Sequence, residues 1–292
     1  MRRNIFLSLL IILCLILAGC GSAHTSAQIA ATTLPVYEFT SQICSGSDLA
    51  VTRLVTESVS CLHDYSLNVS QVRAAEAAEL IVINGADLEA FMEDLLHGKN
   101  VVDSSVGIKL IECNEEDDHD HGHDHHHKAD SHIWLSPENA VIMAQNIHDG
   151  LCAQYPQYIS LFDANLAALE ADIDQLQTYA NSQLSNLKCR QLITFHDGFS
   201  YLAASFDLQI LDAMEEESGS EASAAELKHL INQVRQHNLP AIFTEVNGSA
   251  SAASVISRET GIPAYGLDMA MAGNSWFEAM YYNIDTLKEA LE

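Results

Sequence analysis

A long amphipathic segment near the middle of the chain constrains the fold most. From Pro156 to about Leu187, apolar residues recur at steps of three and four, at Ile159, Phe162, Leu166, Leu169, Ile173, Leu176 and Tyr179. This period places them on one face of an α-helix. At about 1.5 Å per residue the helix would be roughly 45 Å long. We interpret it as a rigid spacer between two lobes, since strand and helix patterns on both sides of it make a coiled-coil dimer helix the weaker alternative.

Strand-like and helix-like segments alternate on both sides of this helix. The predicted strands are residues 28–33, 49–55, 80–84, 101–102, 191–195, 208–211, 241–244 and 264–267. Predicted helices lie between them, including residues 70–78, 87–96, 223–237 and 276–291. This order is typical of βαβ units with parallel sheets. We therefore predict an α/β protein with two lobes of mostly parallel sheet, residues 28–154 and 189–292, joined by one long rigid helix at 155–188.

The N-terminal residues predict export. Arg2 and Arg3 precede an apolar run at residues 5–17, which leads through Ala18 and Gly19 to Cys20. This pattern is typical of a signal peptide, and the run is too short to span a bilayer comfortably. It resembles a bacterial lipobox, which implies cleavage before Cys20 and lipid attachment to its thiol. We predict a lipoprotein-type signal peptide at 1–19 and an anchored linker at 20–27; an ordinary signal peptide is the alternative.

The charge balance limits the possible partners. The chain has 40 acidic and 13 basic residues, and its formal net charge is −27. Nucleic acids and anionic lipid surfaces bind Lys and Arg, so neither is an expected partner. The acidity suits a protein that attracts cations, although it is also a common solubility device.

Five cysteines remain after the signal peptide and Cys20 are set aside: Cys44, Cys61, Cys113, Cys152 and Cys189. An exported protein can form disulfides, but five is an odd number and the connectivity does not follow from sequence. One prediction pairs Cys44 with Cys61 and Cys152 with Cys189, and the alternative is reduced, buried thiols.

Four residues of types that bind metals are spread evenly along the chain. His63, His132, His196 and Asp268 are separated by 69, 64 and 72 residues. Three imidazoles and one carboxylate can fill a tetrahedral zinc shell, provided that the fold gathers them. His196 and Asp268 each follow a predicted strand, and ligand sites in parallel sheets lie beyond the carboxyl ends of strands. These positions predict a metal site in the cleft between the lobes.

Three further carboxylates lie close to these residues. Glu245 follows the predicted strand 241–244 and is a candidate substitute ligand or outer partner. Asp64 and Asp197 are adjacent to His63 and His196. Carboxylates beside metal-binding imidazoles often orient them, and solvation of the loops is the alternative role.

A separate histidine run lies in an acidic segment at 114–130, which we predict to be a mobile loop because its residues cannot form a core. Its histidines are His119, His121, His123, His125, His126 and His127. Low-affinity metal capture or sensing is the favoured role, and a solvated tract is the alternative. The remaining histidines are predicted to be surface residues: His24, His97, His148, His229 and His237.

Four short motifs contain the candidate ligands. They are Leu62-His63-Asp64-Tyr65, His132-Ile133-Trp134-Leu135-Ser136-Pro137, Phe195-His196-Asp197-Gly198 and Leu267-Asp268. Together with the histidine-rich segment and the long helix, they resemble the metal-specific solute-binding proteins of bacterial ABC transporters, in the zinc branch. The resemblance covers essentially all of the mature chain. It implies a periplasmic or cell-surface receptor, anchored at the outer face of the cytoplasmic membrane, that delivers Zn²⁺ to a separate permease and its ATPase subunit. We expect the receptor to be a monomer.

The resemblance also implies a ligand set. His63, His132 and His196 would be the imidazole ligands and Asp268 the fourth ligand. Manganese-binding relatives commonly have a carboxylate at the third position, so His196 favours zinc over manganese or iron. Leu62 and Met269 stand where relatives often have proline.

We expect no enzymatic activity. Four protein ligands would leave no coordination position for a catalytic water. The sequence also contains no H-E-x-x-H or G-x-S-x-G motif. A zinc hydrolase, with water in place of Asp268 and Glu245 as the base, and a surface adhesin are the alternatives from other classes.

Overall fold

The computed structural model describes residues 28–57, 62, 65–112, 129–214 and 222–292. The predictions for the signal peptide, Cys20 and the linker therefore lie outside the described residues. The same holds for His63, Asp64, Cys61, Cys113 and the histidine run. Within the described part of the chain, no helix has both the length and the apolar character needed to cross a membrane.

The first lobe contains a four-stranded parallel sheet in the order β2-β1-β3-β4. Its strands are β1 (Gln28–Ala31), β2 (Ala50–Arg53), β3 (Leu80–Ile83) and β4 (Val101–Asp103). Three helices accompany them: α1 (Leu34–Ile43), α2 (Val69–Ala77) and the single turn α3 (Glu93–Leu96). The side chains of β3 are apolar on both faces because the sheet is covered on both sides.

The first lobe ends with α4 (Pro137–Gln154), and the long α5 (Ile159–Leu184) follows it. The hydroxyl of Ser136 accepts a hydrogen bond from Asn139 N–H at the start of α4, and Pro137 occupies the first turn. Helix α5 has 26 residues and is about 39 Å long. It is shorter than predicted because a 3₁₀ turn, Pro156–Tyr158, precedes it.

The second lobe repeats the parallel arrangement in the order β6-β5-β7-β8. Its strands are β5 (Gln191–Thr194), β6 (Gln209–Ala213), β7 (Ile242–Glu245) and β8 (Ala264–Leu267). Its helices are α6 (Ser200–Ser205), α7 (Ala224–His237), α8 (Ser251–Thr260) and α9 (Trp276–Leu291). The predicted fold class, two α/β lobes with parallel sheets joined by one long helix, is confirmed.

The two lobes share one apolar core. A single cluster of buried side chains includes Phe39 of the first lobe, Leu176 of α5 and Phe243 of the second lobe. Trp134 and Trp276 are fully buried within it. The indole Nε1 of Trp276 donates to the Trp134 carbonyl at 2.9 Å. Helix α5 therefore packs against both lobes and does not bridge a gap between them.

The helix predicted at residues 87–96 is mostly absent. The chain forms a turn, a 3₁₀ segment at Ala90–Met92 and then the short α3. Ala86 and Asp87 have positive φ values of 52° and 62°, which are incompatible with a right-handed helix. The carboxylate of Glu89 accepts hydrogen bonds from the backbone N–H groups that precede it and so stabilises the turn.

The predicted disulfides are wrong. Cys44, Cys152 and Cys189 are free thiols that lie among different neighbours. Cys44 is packed in the core at the end of α1, and burial raises its pKa to about 12. Cys152 contacts His148, while Cys189 donates to the Gln191 carbonyl. The alternative of reduced cysteines holds for these three residues.

Glu89 joins the carboxyl ends of two strands in the first lobe. Its Oε1 accepts from Thr32 Oγ1 at 2.6 Å, after β1, and from Asn84 N at 2.7 Å, after β3. Its Oε2 accepts from Gly85 N at 3.0 Å. Burial raises the pKa of this carboxyl to about 7, and the hydrogen bonds offset only part of that shift. Folding therefore favours the protonated form.

This shift predicts a specific pH dependence of stability. The pKa of Glu89 in the folded protein lies above its unfolded value of 4.5. The stability that Glu89 contributes is therefore fully present below pH 4.5 and is lost as the pH rises through about 7. Between roughly pH 5.5 and pH 8, the unfolding free energy of wild type should fall by about 2 kcal/mol relative to Glu89→Gln. Urea titrations at both pH values measure this difference, and parallel pH profiles of the two proteins would contradict the prediction.

Candidate metal centre

His196 and Glu245 meet where the strand order of the second sheet reverses. His196 lies two residues beyond the end of β5, and Glu245 is the last residue of the neighbouring strand β7. The His196 Nδ1 is 3.1 Å from Glu245 Oε1. Ligands of open parallel sheets bind at such reversal points, beyond the carboxyl ends of the strands. Both side chains are largely buried, with 15% and 7% of their surfaces exposed.

His132 reaches the same place from the first lobe. It precedes the 3₁₀ turn Ile133–Leu135 at the entrance to α4, and the residue is buried. Asp130 Oδ1 accepts from the His132 backbone N–H at 2.8 Å and lies 2.8 Å from the imidazole Nδ1. One carboxylate oxygen therefore fixes both the backbone and the ring. Asp130 is a site residue that none of the sequence motifs contains, and its spacing of two residues from His132 is the one signal of its role.

The two imidazoles face each other across the cleft. His132 Nε2 and His196 Nε2 are 3.5 Å apart, and the ring planes are perpendicular. On each ring the Nδ1 atom contacts a carboxylate, Asp130 or Glu245. A neutral imidazole that donates its Nδ1 proton to a carboxylate presents an Nε2 lone pair. Two such lone pairs directed at one point suit a bound cation. In a tetrahedral zinc site with Zn–N bonds of about 2.0–2.1 Å, two ligand nitrogens are roughly 3.3 Å apart.

Asp268 lies near Glu245, the carboxylate that contacts His196. It follows β8, and Asn283 of α9 fixes its backbone by donating to its carbonyl and accepting from its N–H, both at 2.7 Å. The Asp268 and Glu245 side chains line the same small pocket. Burial raises the pKa of the Asp268 carboxyl, although the N–H of Ala270 donates to it at 2.8 Å.

Gly198 and Met269 hold the His196 ring in position. A Cβ atom at residue 198 would lie 2.6 Å from the His196 Cδ2 and 2.6 Å from the Met269 methyl carbon. Only glycine leaves room for the imidazole and the methionine together. The half-buried Asp197 separates Gly198 from His196. Met269 thereby connects the Asp268 segment to the His196 turn.

Hydrogen bonds across the cleft fix the two halves of the site relative to each other. The Tyr201 hydroxyl of α6 donates to the Asp130 carbonyl at 3.0 Å and accepts from Ile111 N at 3.0 Å. The Trp134 indole Nε1 donates to the Met269 carbonyl at 2.7 Å. The positions of His132 and His196 are therefore set by the same contacts that join the lobes.

The structure brings together three of the residues singled out in the sequence, His132, His196 and Glu245, and it places Asp268 in a small pocket with Glu245. It places Glu245 against the outer nitrogen of His196, as expected of a partner that orients the ring. His148 differs from its predicted surface role, because only 13% of its side chain is exposed.

The family model that matches this chain and the chain's relatives agree on one protein family. The sequence model of the family described as "zinc-uptake complex component A periplasmic" (ZnuA) matches residues 29–290. The zinc-binding lipoprotein AdcA of Streptococcus pneumoniae is 29% identical over 309 residues, an alignment that covers 99% of this chain and 61% of AdcA. The chain thus spans about three-fifths of the length of that relative.

One further relative and one solved structure extend the comparison. The iron-binding protein YfeA of Yersinia pestis is 27% identical over 235 residues, covering 79% of this chain and 73% of YfeA. The crystal structure of the Zn(II)-bound ZnuA-like domain of AdcA from Streptococcus pneumoniae superposes with a TM-score of 0.76 at 26% identity. That superposition covers 91% of this chain and 99% of the domain.

The carboxylate contacts predict the tautomers of both histidines. In metal-free protein His132 and His196 should carry the proton on Nδ1, because Asp130 and Glu245 accept from that atom. Imidazole ¹⁵N shifts measure the tautomer. Asp130→Ala should abolish the preference for the Nδ1–H tautomer at His132 alone. Glu245→Ala should abolish it at His196 alone.

His229 supplies a matched control for this measurement. Its Nε2, not its Nδ1, faces Asp212 at 2.8 Å on the surface of the second lobe. It should therefore show the opposite tautomer in the same spectrum. An Nε2–H signal from His132 or His196 in the wild-type protein would contradict the prediction.

Proposed function

This chain belongs to the zinc-uptake complex component A family, and we propose that it captures Zn²⁺ and delivers it to an ABC importer. The members of this family are metal-binding receptors and not enzymes. Family membership confirms the resemblance carried by the four sequence motifs and the expectation of a protein without catalysis. It also indicates an exported protein, since the family is periplasmic.

The observation that carries the proposal is the 3.5 Å contact between His132 Nε2 and His196 Nε2. Each ring is oriented from its outer nitrogen by a carboxylate, an arrangement usual around metal-binding histidines. We assign His132 and His196 as two zinc ligands and His63 and Asp268 as the other two. In this assignment Asp130 and Glu245 orient imidazoles, with Asp64 and Asp197 as further candidates for that role.

The donor set supports zinc over harder ions. Imidazole suits zinc, iron and copper, whereas manganese is better matched by carboxylate oxygens. Three histidines and one aspartate are richer in nitrogen than a manganese site requires. Iron is the alternative cargo, since YfeA is an iron-binding protein.

The proposal extends to the anchor and the partners. We propose that Cys20 is lipidated and holds a monomeric receptor at the outer face of the cytoplasmic membrane. The AdcA relative is a lipoprotein, which supports this anchor. The permease and the ATPase would be separate chains. The histidines between His119 and His127 would capture metal weakly before it reaches the cleft.

The packing between the lobes supports a largely preformed site. The Arg53 guanidinium donates to the Met271 carbonyl at 2.8 Å and the Gly273 carbonyl at 2.9 Å, so β2 contacts the loop after Asp268. Glu38 of α1 accepts from Ser275 Oγ at 2.9 Å and from the backbone N–H of Trp276. Opening the cleft widely would break these bonds and expose the shared core. Metal should therefore order local loops without moving residues 28–154 as a body relative to 189–292.

Competitive titration of the full chain with Zn²⁺, Mn²⁺ and Fe²⁺ tests the site and its selectivity. We expect one tight zinc site that binds manganese far more weakly. His196→Ala should weaken zinc binding by more than the roughly 10- to 100-fold expected for loss of an outer partner. Deletion of residues 115–128 should leave the tight site intact.

The matched control is His229→Ala, which removes another histidine–carboxylate pair of the second lobe. Its zinc affinity should equal that of wild type. If tight binding survives His196→Ala and disappears only when residues 115–128 are deleted, the cleft assignment is wrong and the histidine run holds the metal.

Solution scattering tests the rigidity of the receptor. The apo and zinc-bound proteins should give superimposable profiles, because the shared core and the interlobe hydrogen bonds resist hinge closure. The measurement uses the variant that lacks residues 115–128, so that a metal-induced change in that segment does not alter the radius of gyration. A clear decrease in the radius of gyration on zinc addition would contradict a preformed cleft.

A further inference from the structure

A second group of metal-binding side chains lies near the far end of α4. His148 and Cys152 are one helical turn apart on that helix, and Asp163 approaches them from α5. One potential ligand atom from each residue lies within 4.8 Å of the other two. The helical stretch 137–148 is roughly 18 Å long, so this group is separate from His132 at the other end of the helix.

The contacts converge on one imidazole nitrogen. His148 Nε2 is 2.9 Å from Asp163 Oδ1 and 3.4 Å from Cys152 Sγ. The other nitrogen, Nδ1, is 3.0 Å from Asp149 Oδ1. The ring is largely buried, whereas 60% of the Asp163 side chain is exposed. The His148 side of the group is therefore packed against the protein, and the Asp163 side is open to solvent.

Both ring nitrogens of His148 lie against carboxylate oxygens, which only accept hydrogen bonds. A doubly protonated imidazolium would satisfy both contacts. A neutral imidazole that donates from Nδ1 to Asp149 and binds a cation at Nε2 would satisfy them as well, because the Asp163 carboxylate and the Cys152 sulfur can bind the same cation.

Two of the three ligand–ligand distances fit such an ion with a small adjustment, and the sulfur–oxygen distance is within 4.8 Å. Zinc bonds of about 2.0–2.3 Å at tetrahedral angles place ligand atoms roughly 3.3–3.6 Å apart. The sulfur–nitrogen separation of 3.4 Å already lies in that range. The Asp163 oxygen would need to withdraw by a few tenths of an ångström, which its exposed side chain permits.

We propose that His148, Cys152 and Asp163 form a second metal site, which takes Zn²⁺ or another thiophilic divalent cation, with Asp149 orienting the imidazole. Binding replaces the Sγ–H bond of Cys152 with an Sγ–metal bond and releases the proton to solvent. The thiolate excludes hard ions such as Mn²⁺ and Mg²⁺. Three protein ligands leave a fourth position open to solvent, so metal can exchange there. The site requires no ligand from the cleft between the lobes.

Cobalt spectroscopy of the full chain in detergent tests the proposal. Co²⁺ bound to a thiolate gives an intense near-ultraviolet charge-transfer band, which imidazole and carboxylate ligands do not give. Wild type and Cys189→Ser, which removes another half-buried free thiol, should show the band, and Zn²⁺ should abolish it. Cys152→Ser should lack the band while keeping the wild-type circular dichroism spectrum. His196→Ala should retain the band, so this result is independent of the cleft site.

Alkylation of Cys152, followed by peptide mass spectrometry, gives a second readout. At a zinc concentration about ten times the Kd, modification should slow roughly tenfold, and Mn²⁺ should have no effect. His148→Gln and Asp163→Asn should each weaken this protection. If zinc leaves the Cys152 alkylation rate unchanged, or if the cobalt band persists in Cys152→Ser, His148 only bridges two helices and the proposal is overturned.

Discussion

The burial of two tryptophans between the lobes is the constraint on which the rest of the structure depends. Trp134 and Trp276 are both fully buried, and a buried tryptophan removes some 150–250 Å² from water. At about 25 cal/mol per Å² this corresponds to roughly 4–6 kcal/mol each, as an upper estimate. A typical net hydrogen bond contributes about 1 kcal/mol. Apolar packing therefore joins the lobes, and the indole hydrogen bonds set their relative position.

That relative position determines the chemistry of the cleft. Trp134 is two residues from His132, and its indole donates to the carbonyl of Met269, the neighbour of Asp268. Because Gly198 has no side chain, it leaves a space beside the His196 ring, and the Met269 methyl group borders that space. The first-lobe imidazole, the second-lobe imidazole and the Asp268 segment are consequently placed by one continuous set of contacts. A small shift between the lobes would change the separation of the two Nε2 atoms directly.

Local sequence patterns predicted the architecture well and the details less well. The alternation of strands and helices and the period of α5 arise from solvent exposure along each element, so they are visible in the sequence. The segment 87–96 has the composition of a helix, but the Glu89 carboxylate binds the backbone N–H groups of Asn84 and Gly85 and stabilises a turn. The same carboxylate also accepts from Thr32, 57 residues away in the sequence, and composition alone does not reveal such a long-range contact. The cysteine pairings failed for the same reason, because they depend on distances between elements.

The sequence by itself determined that the protein is an α/β chain with parallel sheets and a long helix, and that its histidines occur in motifs of a metal-receptor family. Only the tertiary structure decided which side chains meet. It placed Asp130 on His132, Glu245 on the outer nitrogen of His196, and a histidine, a cysteine and an aspartate together between α4 and α5. The physical reason is that hydrophobic periodicity is written along the chain, whereas a metal site requires atoms from distant segments within about 4 Å of one another.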